Sequence, residues 1–317
     1  MGFEGLLGND QLKEELRQSL RRGRTAHFYL ISGPAGSGRH TLARLLAAGL
    51  MCRSSEKPCG TCEACRKVLG GTHPDFITVD DPEKKTVTVD LIRQARADIY
   101  VQPNEGDKKI YLFPRAQDMG LPGQNALLKI LEEPPVYGVF LLLTDNPESL
   151  LPTIRSRCRA LMLQPLPEPV LRRELERRCP NQDSQAISAA MGRSGGYLGQ
   201  ALSLLEGGDG LLPQTEEFCA AFAGRDVLGL LQTLIPMEKW KRDQLIPALR
   251  QWLELLEESL VCRAGGQVLT PHARKLAASR SSEELLQALR QLQKSIDHAQ
   301  RNISCAAICG WLQWALR

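Results

Sequence analysis

Residues 27–41 read His27-Phe-Tyr-Leu-Ile-Ser-Gly33-Pro-Ala-Gly36-Ser-Gly38-Arg39-His40-Thr41. A short apolar run feeds into a glycine-rich loop, and leucines at 42, 45, 46 and 50 then recur at helical spacing. Strand, glycine loop and helix in that order are the setting in which a G-x-x-x-x-G-K-[ST] phosphate-binding loop is credible. The glycine frame is present at Gly33 and Gly38, with Gly36 between them. The chemistry is altered. Arg39 stands where a lysine would neutralise phosphate charge, and His40 where a hydroxyl would ligate Mg²⁺. Mg²⁺ is a hard cation that prefers oxygen, so His40 is a poor substitute. Thr41 has a hydroxyl, but one further residue of helix turns it about 100° away. Arg39 keeps the capacity to pair with phosphate oxygens. Gly33, Gly36, Gly38 and Arg39 are therefore the candidate nucleotide-loop residues, in a degenerate loop expected to serve the fold rather than ATP chemistry.

Working outward, apolar runs at 76–79, 110–113 and 139–143 read as further strands. Helical patterns at 12–20, 91–100 and 125–131 lie around and between them. Such alternation predicts an α/β fold with a parallel sheet covered by helices on both faces. After about Pro165 the strand signals stop. Pro165, Pro167 and Pro169 punctuate a linker, and helical patterns follow at 170–178, 185–191 and 198–205. Gly207, Gly208 and Gly210 mark a second break, beyond which the pattern is helical, including 241–260 and 283–316. Pro247 is expected to start or kink the first of these. Three parts are expected: an α/β core over 1–165, a small helical domain over 166–207 and a larger helical domain over 208–317.

With 317 residues, 43% of them hydrophobic and 24% charged, the chain has an ordinary soluble composition and ample core-forming material. A net charge of +4 neither demands nor excludes a nucleic-acid partner. No apolar run approaches the roughly 18 residues that a membrane span needs. The first residues carry no signal-peptide pattern, so a cytoplasmic location is expected. Of ten cysteines, four fall within residues 52–65, as Cys52-x6-Cys59-x2-Cys62-x2-Cys65. In a cytosolic chain such clustering points to metal rather than to disulfides. Four thiolates fill a tetrahedral Zn²⁺ shell and leave no open position, which makes the expected site structural. An Fe–S cluster or four reduced thiols are the alternatives.

A working ATPase would place an Asp for Mg²⁺ and an adjacent Glu for water at the end of the strand 110–113. This chain has Pro114 and Arg115 there, and the next carboxylate is Asp118, read here as a solvated loop group. A positive charge at the base position opposes proton abstraction.

Residues 124–135, Gln-Asn-Ala-Leu-Leu-Lys-Ile-Leu-Glu-Glu-Pro-Pro, closely resemble the Asn-Ala-Leu-Leu-Lys-x-Leu-Glu-Glu-Pro-Pro signature of bacterial DNA polymerase III clamp-loader subunits. Thr144-x-x-Pro147 and Thr153-Ile154-Arg155-Ser156-Arg157-Cys158 follow, the latter similar to the family's Ser-Arg-Cys motif. Leu7-Gly8-Asn9, the run into Gly33 and the cysteine cluster fit as well, so the resemblance covers about residues 1–205 in order. It implies an AAA+ core, a helical lid and a C-terminal helical collar that assembles a five-membered ring. The family's ATP-hydrolysing members carry Gly-Ser-Leu-Arg-Asp-Ala-Leu in the lid. Here the matching stretch is Gly196-Tyr197-Leu198-Gly199-Gln200-Ala201-Leu202, with Gly199 in place of the sensor arginine.

Three ATP-handling elements are thus altered, which places the chain by resemblance among the loader's non-hydrolysing members. The implied partners are the gamma/tau and delta subunits, and indirectly the sliding clamp and primer–template DNA. The implied role of Arg157 is that of a trans arginine finger, stabilising charge on a γ-phosphate bound by a neighbouring subunit. ATP is not expected as a cofactor of this chain. Arg155 and Arg159 read as solvated or interface charges, and Cys158 as a small buried residue. Trp311 and Trp314 suit either core or interface. Asn302 and Ser304 resemble a polar patch of the last collar helix. An ATP-hydrolysing gamma/tau-type subunit and a zinc-module nucleic-acid-binding protein are the rival readings.

Overall fold

A computed structural model describes residues 2–316 except 82, 85, 207–210, 267–269 and 301–302. The glycine break at 207–210 and Asn302 lie outside the described residues. The chain divides into two compact units, one formed by 1–178 with 194–201 and the other by 179–193 with 202–317.

The first unit is built on a five-stranded parallel sheet of β1 (Phe28–Ser32), β2 (Phe76–Thr78), β3 (Lys109–Phe113), β4 (Gly138–Thr144) and β5 (Arg159–Met162), in spatial order β2-β3-β4-β1-β5. Helices α1 (Asp10–Arg21), α2 (Arg39–Met51), α3 (Glu63–Leu69), α4 (Val89–Asp98), α5 (Leu121–Glu132), α6 (Pro152–Arg155) and α7 (Glu168–Arg178) belong to the same unit. Strands β1, β3 and β4 are buried at every residue, as a sheet covered on both faces requires. Side chains alternate across the pleat. Tyr29, Ile31, Val139, Leu141 and Leu143 join one core with Leu16, Leu42 and Leu46 of α1 and α2. Phe28, Leu30, Phe140 and Leu142 join the other core with Ile92, Leu127 and Ile154 of α4, α5 and α6. Phe28 stacks on Phe140 at 4.7 Å and Tyr111 on Phe140 at 5.3 Å, so this second core is pinned by an aromatic row.

Strand β5 escapes the sequence pattern. Of Arg159-Ala-Leu-Met162 only Leu161 is buried, because the strand forms the sheet edge beside β1. Its backbone pairing, not its hydrophobicity, makes it a strand. Helix α3 is likewise absent from the sequence reading. It starts inside the cysteine cluster, where the Cys62 side chain accepts the Cys65 N–H as an N-cap.

The second unit is helical, with α8 (Ser184–Arg193), the C-terminal part of α9 (Leu198–Glu206), α10 (Pro213–Gly224), α11 (Val227–Met237), α12 (Arg242–Arg263), α13 (Pro271–Ser279), α14 (Ser282–Gln300) and α15 (Cys305–Ala315). Its core centres on Trp252 of α12, which stacks on Phe218 at 4.2 Å. Pro247 lies inside α12, which begins at Arg242, so the proline does not start this helix. The expected run 283–316 is two helices. Ser304 caps α15 through the Ala307 N–H at 3.3 Å, an alternative backbone partner that a continuous helix would lack. Trp311 and Trp314 are 43% and 66% exposed, and so belong to no core of the described residues. No described helix is long and apolar enough to cross a membrane.

Candidate functional site

The glycine loop joins β1 to α2, and its conformation explains its glycines. Gly36 has φ +75° and Gly38 φ +97°, both in the left-handed region that a side chain strains. Gly36 also meets the backbone of residues 199–200. A Cβ on Gly36 would lie 2.5 Å from the Gln200 nitrogen, and one on Gly199 2.5 Å from the Gly36 Cα. Between them the Gly199 N–H donates to the Gly36 carbonyl at 3.0 Å. Gly199 lies in the first turn of α9, where the N–H groups have no partner within the helix, and the loop carbonyl satisfies one of them. The position matching the sensor arginine is thus packed backbone against backbone, with no room for any side chain.

Arg39 is the first residue of α2. Its Nη1 is buried and has no hydrogen-bond partner among the described residues. Burial holds its pKa below the ordinary guanidinium value, with Asp145 opposing that shift. The His40 pKa is also shifted down, by burial first and then by Arg39 and Arg44. Thr41 is exposed on α2.

Past β3, Arg115 is firmly held rather than free. Its Nη2 donates to Asp80 Oδ1 at 2.6 Å, to the Asp81 carbonyl at 2.9 Å and to the Lys84 carbonyl at 3.0 Å, while Nε reaches Asp80 Oδ1 at 3.1 Å. Hydrogen bonding to Asp80 raises the Arg115 pKa further. Asp118 corrects the sequence reading: it is no freely solvated group, but forms the end of a 3₁₀ turn with its carboxylate 3.7 Å from Arg115 Nη1. Burial raises its pKa, with Arg115 acting in the opposite sense. A fixed, internally neutralised cation therefore stands where a Mg²⁺ ligand and a water-activating base would be needed. Sequence alone missed Asp80. Its only signal is the Asp80-Asp81 pair directly after the strand 76–79.

On the other side of β4, the turn that carries Arg157 is tied down by Gln124. This buried side chain donates to the Met119 carbonyl at 3.0 Å and the Ser149 carbonyl at 3.1 Å, and accepts from the Leu151 N–H at 2.8 Å. It bridges the start of α5 to the segment entering α6. Arg155 pairs with Glu148, and Arg159 Nη1 donates to Ser19 Oγ at 3.0 Å. Arg157 differs. It is exposed, and its Nη1 donates to the Thr153 carbonyl at 3.1 Å, with no carboxylate partner among the described residues. Cys158 is partly buried against the second core, and burial pushes its thiol up to about 12, which makes it unreactive.

The four cysteines of the cluster converge, with all sulfurs within 4.8 Å of one another. Cys59 and Cys65 Sγ are 3.9 Å apart, as are Cys52 and Cys62 Sγ. A tetrahedral shell with metal–sulfur bonds of about 2.3 Å spaces its sulfurs about 3.8 Å apart, whereas a disulfide needs about 2.05 Å. The Cys62 N–H points at Cys59 Sγ at 3.3 Å and the Cys65 N–H at Cys62 Sγ at 3.4 Å. Donation from the Cys62 N–H and then from Thr61 holds the Cys59 thiol well below its ordinary value, which favours the thiolate that a metal needs. Burial pushes Cys52 and Cys65 up. The donor set, its spacing and its backbone N–H partners fit Zn²⁺ as a closed structural site.

Sheet order, glycine loop and helical second unit define an AAA+ type P-loop protein whose nucleotide-handling groups are altered. A family model described as DNA polymerase III, delta subunit, matches residues 8–167. The chain belongs to that family, as a clamp-loader subunit of the delta-prime type. It is 38% identical over 179 residues to the DNA polymerase III subunit delta' of Pseudomonas aeruginosa, covering 55% of this chain and 54% of that protein. It is 36% identical over 213 residues to the Escherichia coli subunit delta', covering 66% of this chain and 63% of that protein. With the Escherichia coli subunit tau it shares 34% identity over 210 residues, 64% of this chain and 32% of that protein. The chain thus spans little more than half the length of the delta' relatives it matches. A solved gamma subunit-related protein of Thermotoga maritima aligns at 18% identity and a TM-score of 0.41, over 95% of this chain and 99% of that one.

Proposed function

We propose that this chain is a non-hydrolysing clamp-loader subunit that completes a neighbour's ATPase site rather than running its own. The observation that carries the reading is the Arg115–Asp80 pair at the end of β3, with 2.6 Å between Nη2 and Oδ1. It puts a held guanidinium where hydrolysis needs a metal ligand and a base. The Gly36–Gly199 contact supports the same reading from the opposite side of the loop. ATP is then no cofactor of this chain, and its resident metal is structural Zn²⁺ on Cys52, Cys59, Cys62 and Cys65.

Arg157 supplies the outward function. A guanidinium brought to a γ-phosphate bound next door stabilises charge that develops in the transition state, a contribution of about 10³–10⁵ in rate for arginine fingers. Its exposure, its lack of a carboxylate partner among the described residues and its short tether to Thr153 suit delivery across an interface. The proposed partners are gamma/tau and delta subunits in a five-membered ring, which in the cytoplasm opens a sliding clamp and loads it on primer–template DNA. The proposed organisation is a core over 1–165, a lid over 166–207 and a collar over 208–317.

Two measurements on the purified chain test this. The isolated protein is expected to show no ATP turnover above a blank, and to co-purify with the other loader subunits when they are co-expressed. Turnover that is lost on Arg39→Ala substitution would overturn the reading.

A further inference from the structure

Between the N-terminal segment, the outer face of α2 and the cysteine loop lies a cavity of about 360 Å³. That is within the size range of small-ligand pockets, roughly 300–1,000 Å³. Leu45, Pro58 and Leu69 make its walls, while Gly2 and Gly5 leave room for an occupant. His40 and Arg44, one helical turn apart on α2, stand at its polar side, and none of the described lining residues is acidic. Arg44 is exposed at the rim of the cavity and has no ion pair or hydrogen bond to another described residue, so its guanidinium is available to an incoming anion. Arg44 is the one permanently charged side chain among the described lining residues. An apolar hole with a single uncompensated guanidinium is complementary to an apolar group that bears an anion, and the planar fork of arginine suits a carboxylate.

We propose that this cavity binds an apolar carboxylate, with a leucine- or phenylalanine-sized side chain against Leu45, Pro58 and Leu69 and the carboxylate on Arg44. The shared chemistry can come from a free acid or from the C-terminal residue of a partner polypeptide. Because Pro58 and Gly60 flank Cys59, the cavity wall depends on the folded cysteine loop.

The test is a titration of the full chain with N-acetyl-phenylalanine, N-acetyl-phenylalanine amide, and a short peptide ending in phenylalanine with either a free or an amidated terminus. Methyl NMR signals of Leu45 and Leu69 report occupancy. The free acid is expected to shift both signals, saturating in the millimolar range or below. The amide is expected to bind at least about tenfold more weakly, since a charge-assisted bond is lost. Arg44→Gln should reproduce that loss with the free acid, and Arg44→Lys should recover part of it. In Gly5→Leu the new side chain starts in ordinary contact with Leu45, 3.6 Å from its Cδ1, and should exclude the ligand. Tighter binding of the free-terminus peptide than of the single acid assigns the site to a polypeptide terminus, and the reverse order to a free acid. Equal binding of acid and amide, unchanged binding to Arg44→Gln, or no shift of either methyl signal with any of these probes would overturn the proposal.

Discussion

Replacing Gly199 with alanine sets a methyl carbon 2.5 Å from the Gly36 Cα and 2.8 Å from its carbonyl oxygen. Both are backbone atoms, and Gly36 is itself fixed at φ +75°, so no side-chain rotation relieves the contact. The segment around Gly199 must move away, and the 3.0 Å bond from its N–H to the Gly36 carbonyl goes with it. Overpacking of this kind costs about 1–3 kcal/mol and a lost hydrogen bond about 1 kcal/mol, so a penalty of about 2–4 kcal/mol is expected. If residues 198–201 peel away instead, the cost is capped at the free energy of that local opening. Hydrogen exchange separates these outcomes. The Gly199 amide should lose protection in either case, and in the first the unfolding midpoint of the core should fall by several degrees as well. Gly224→Ala is the control, because a Cβ there meets nothing within 4 Å. Unchanged protection of the Gly199 amide together with an unchanged midpoint would refute the reasoning.

Purified protein should carry one zinc ion per chain by elemental analysis, and Cys59→Ser should reduce that content and lower the unfolding midpoint. Buried Asp75 accepts backbone N–H bonds from Asn104 at 2.7 Å, Glu105 at 2.8 Å and Gly106 at 3.1 Å. Burial pushes its pKa up, but these donors outweigh that and hold it below the ordinary value. Its contribution is therefore complete above about pH 4 and is lost as pH falls through the depressed folded value. Asp75→Asn should cost about 2–4 kcal/mol at pH 7, and its chemical-denaturation midpoint should fall less than that of the parent between pH 5 and pH 3. Gln124→Leu leaves the Met119 and Ser149 carbonyls and the Leu151 N–H without their partner, so a loss of about 2–3 kcal/mol and faster exchange of the Leu151 amide are expected.

The sheet centre is legible in the sequence because β1, β3 and β4 are buried on both faces and so appear as continuous apolar runs. Edge position removes that signal from β5, where Leu161 alone is buried. The cysteine ligand set is legible from spacing, since two-residue gaps bring successive thiols together on one loop. Partners distant in sequence are not. Nothing local in Arg115 announces Asp80, and nothing in Gly36 announces a second glycine 163 positions later at Gly199. Motif comparison finds the missing arginine at 199, but only the fold reveals that its place is filled by backbone. Arg155, Arg157 and Arg159 look alike in the sequence. Glu148 engages the first and Ser19 the third, whereas Arg157 reaches only the Thr153 carbonyl among the described residues, which suits the outward role proposed for it.

The most direct test of that outward role is single-turnover ATP hydrolysis by a reconstituted loader, with clamp and primed DNA, carrying Arg157→Ala in this subunit alone. The account predicts that the hydrolysis phase of one neighbouring site slows by about 10³ or more while ATP binding there persists, and that Arg157→Lys recovers little of it. Hydrolysis of unchanged rate and amplitude in the Arg157→Ala loader would contradict the account.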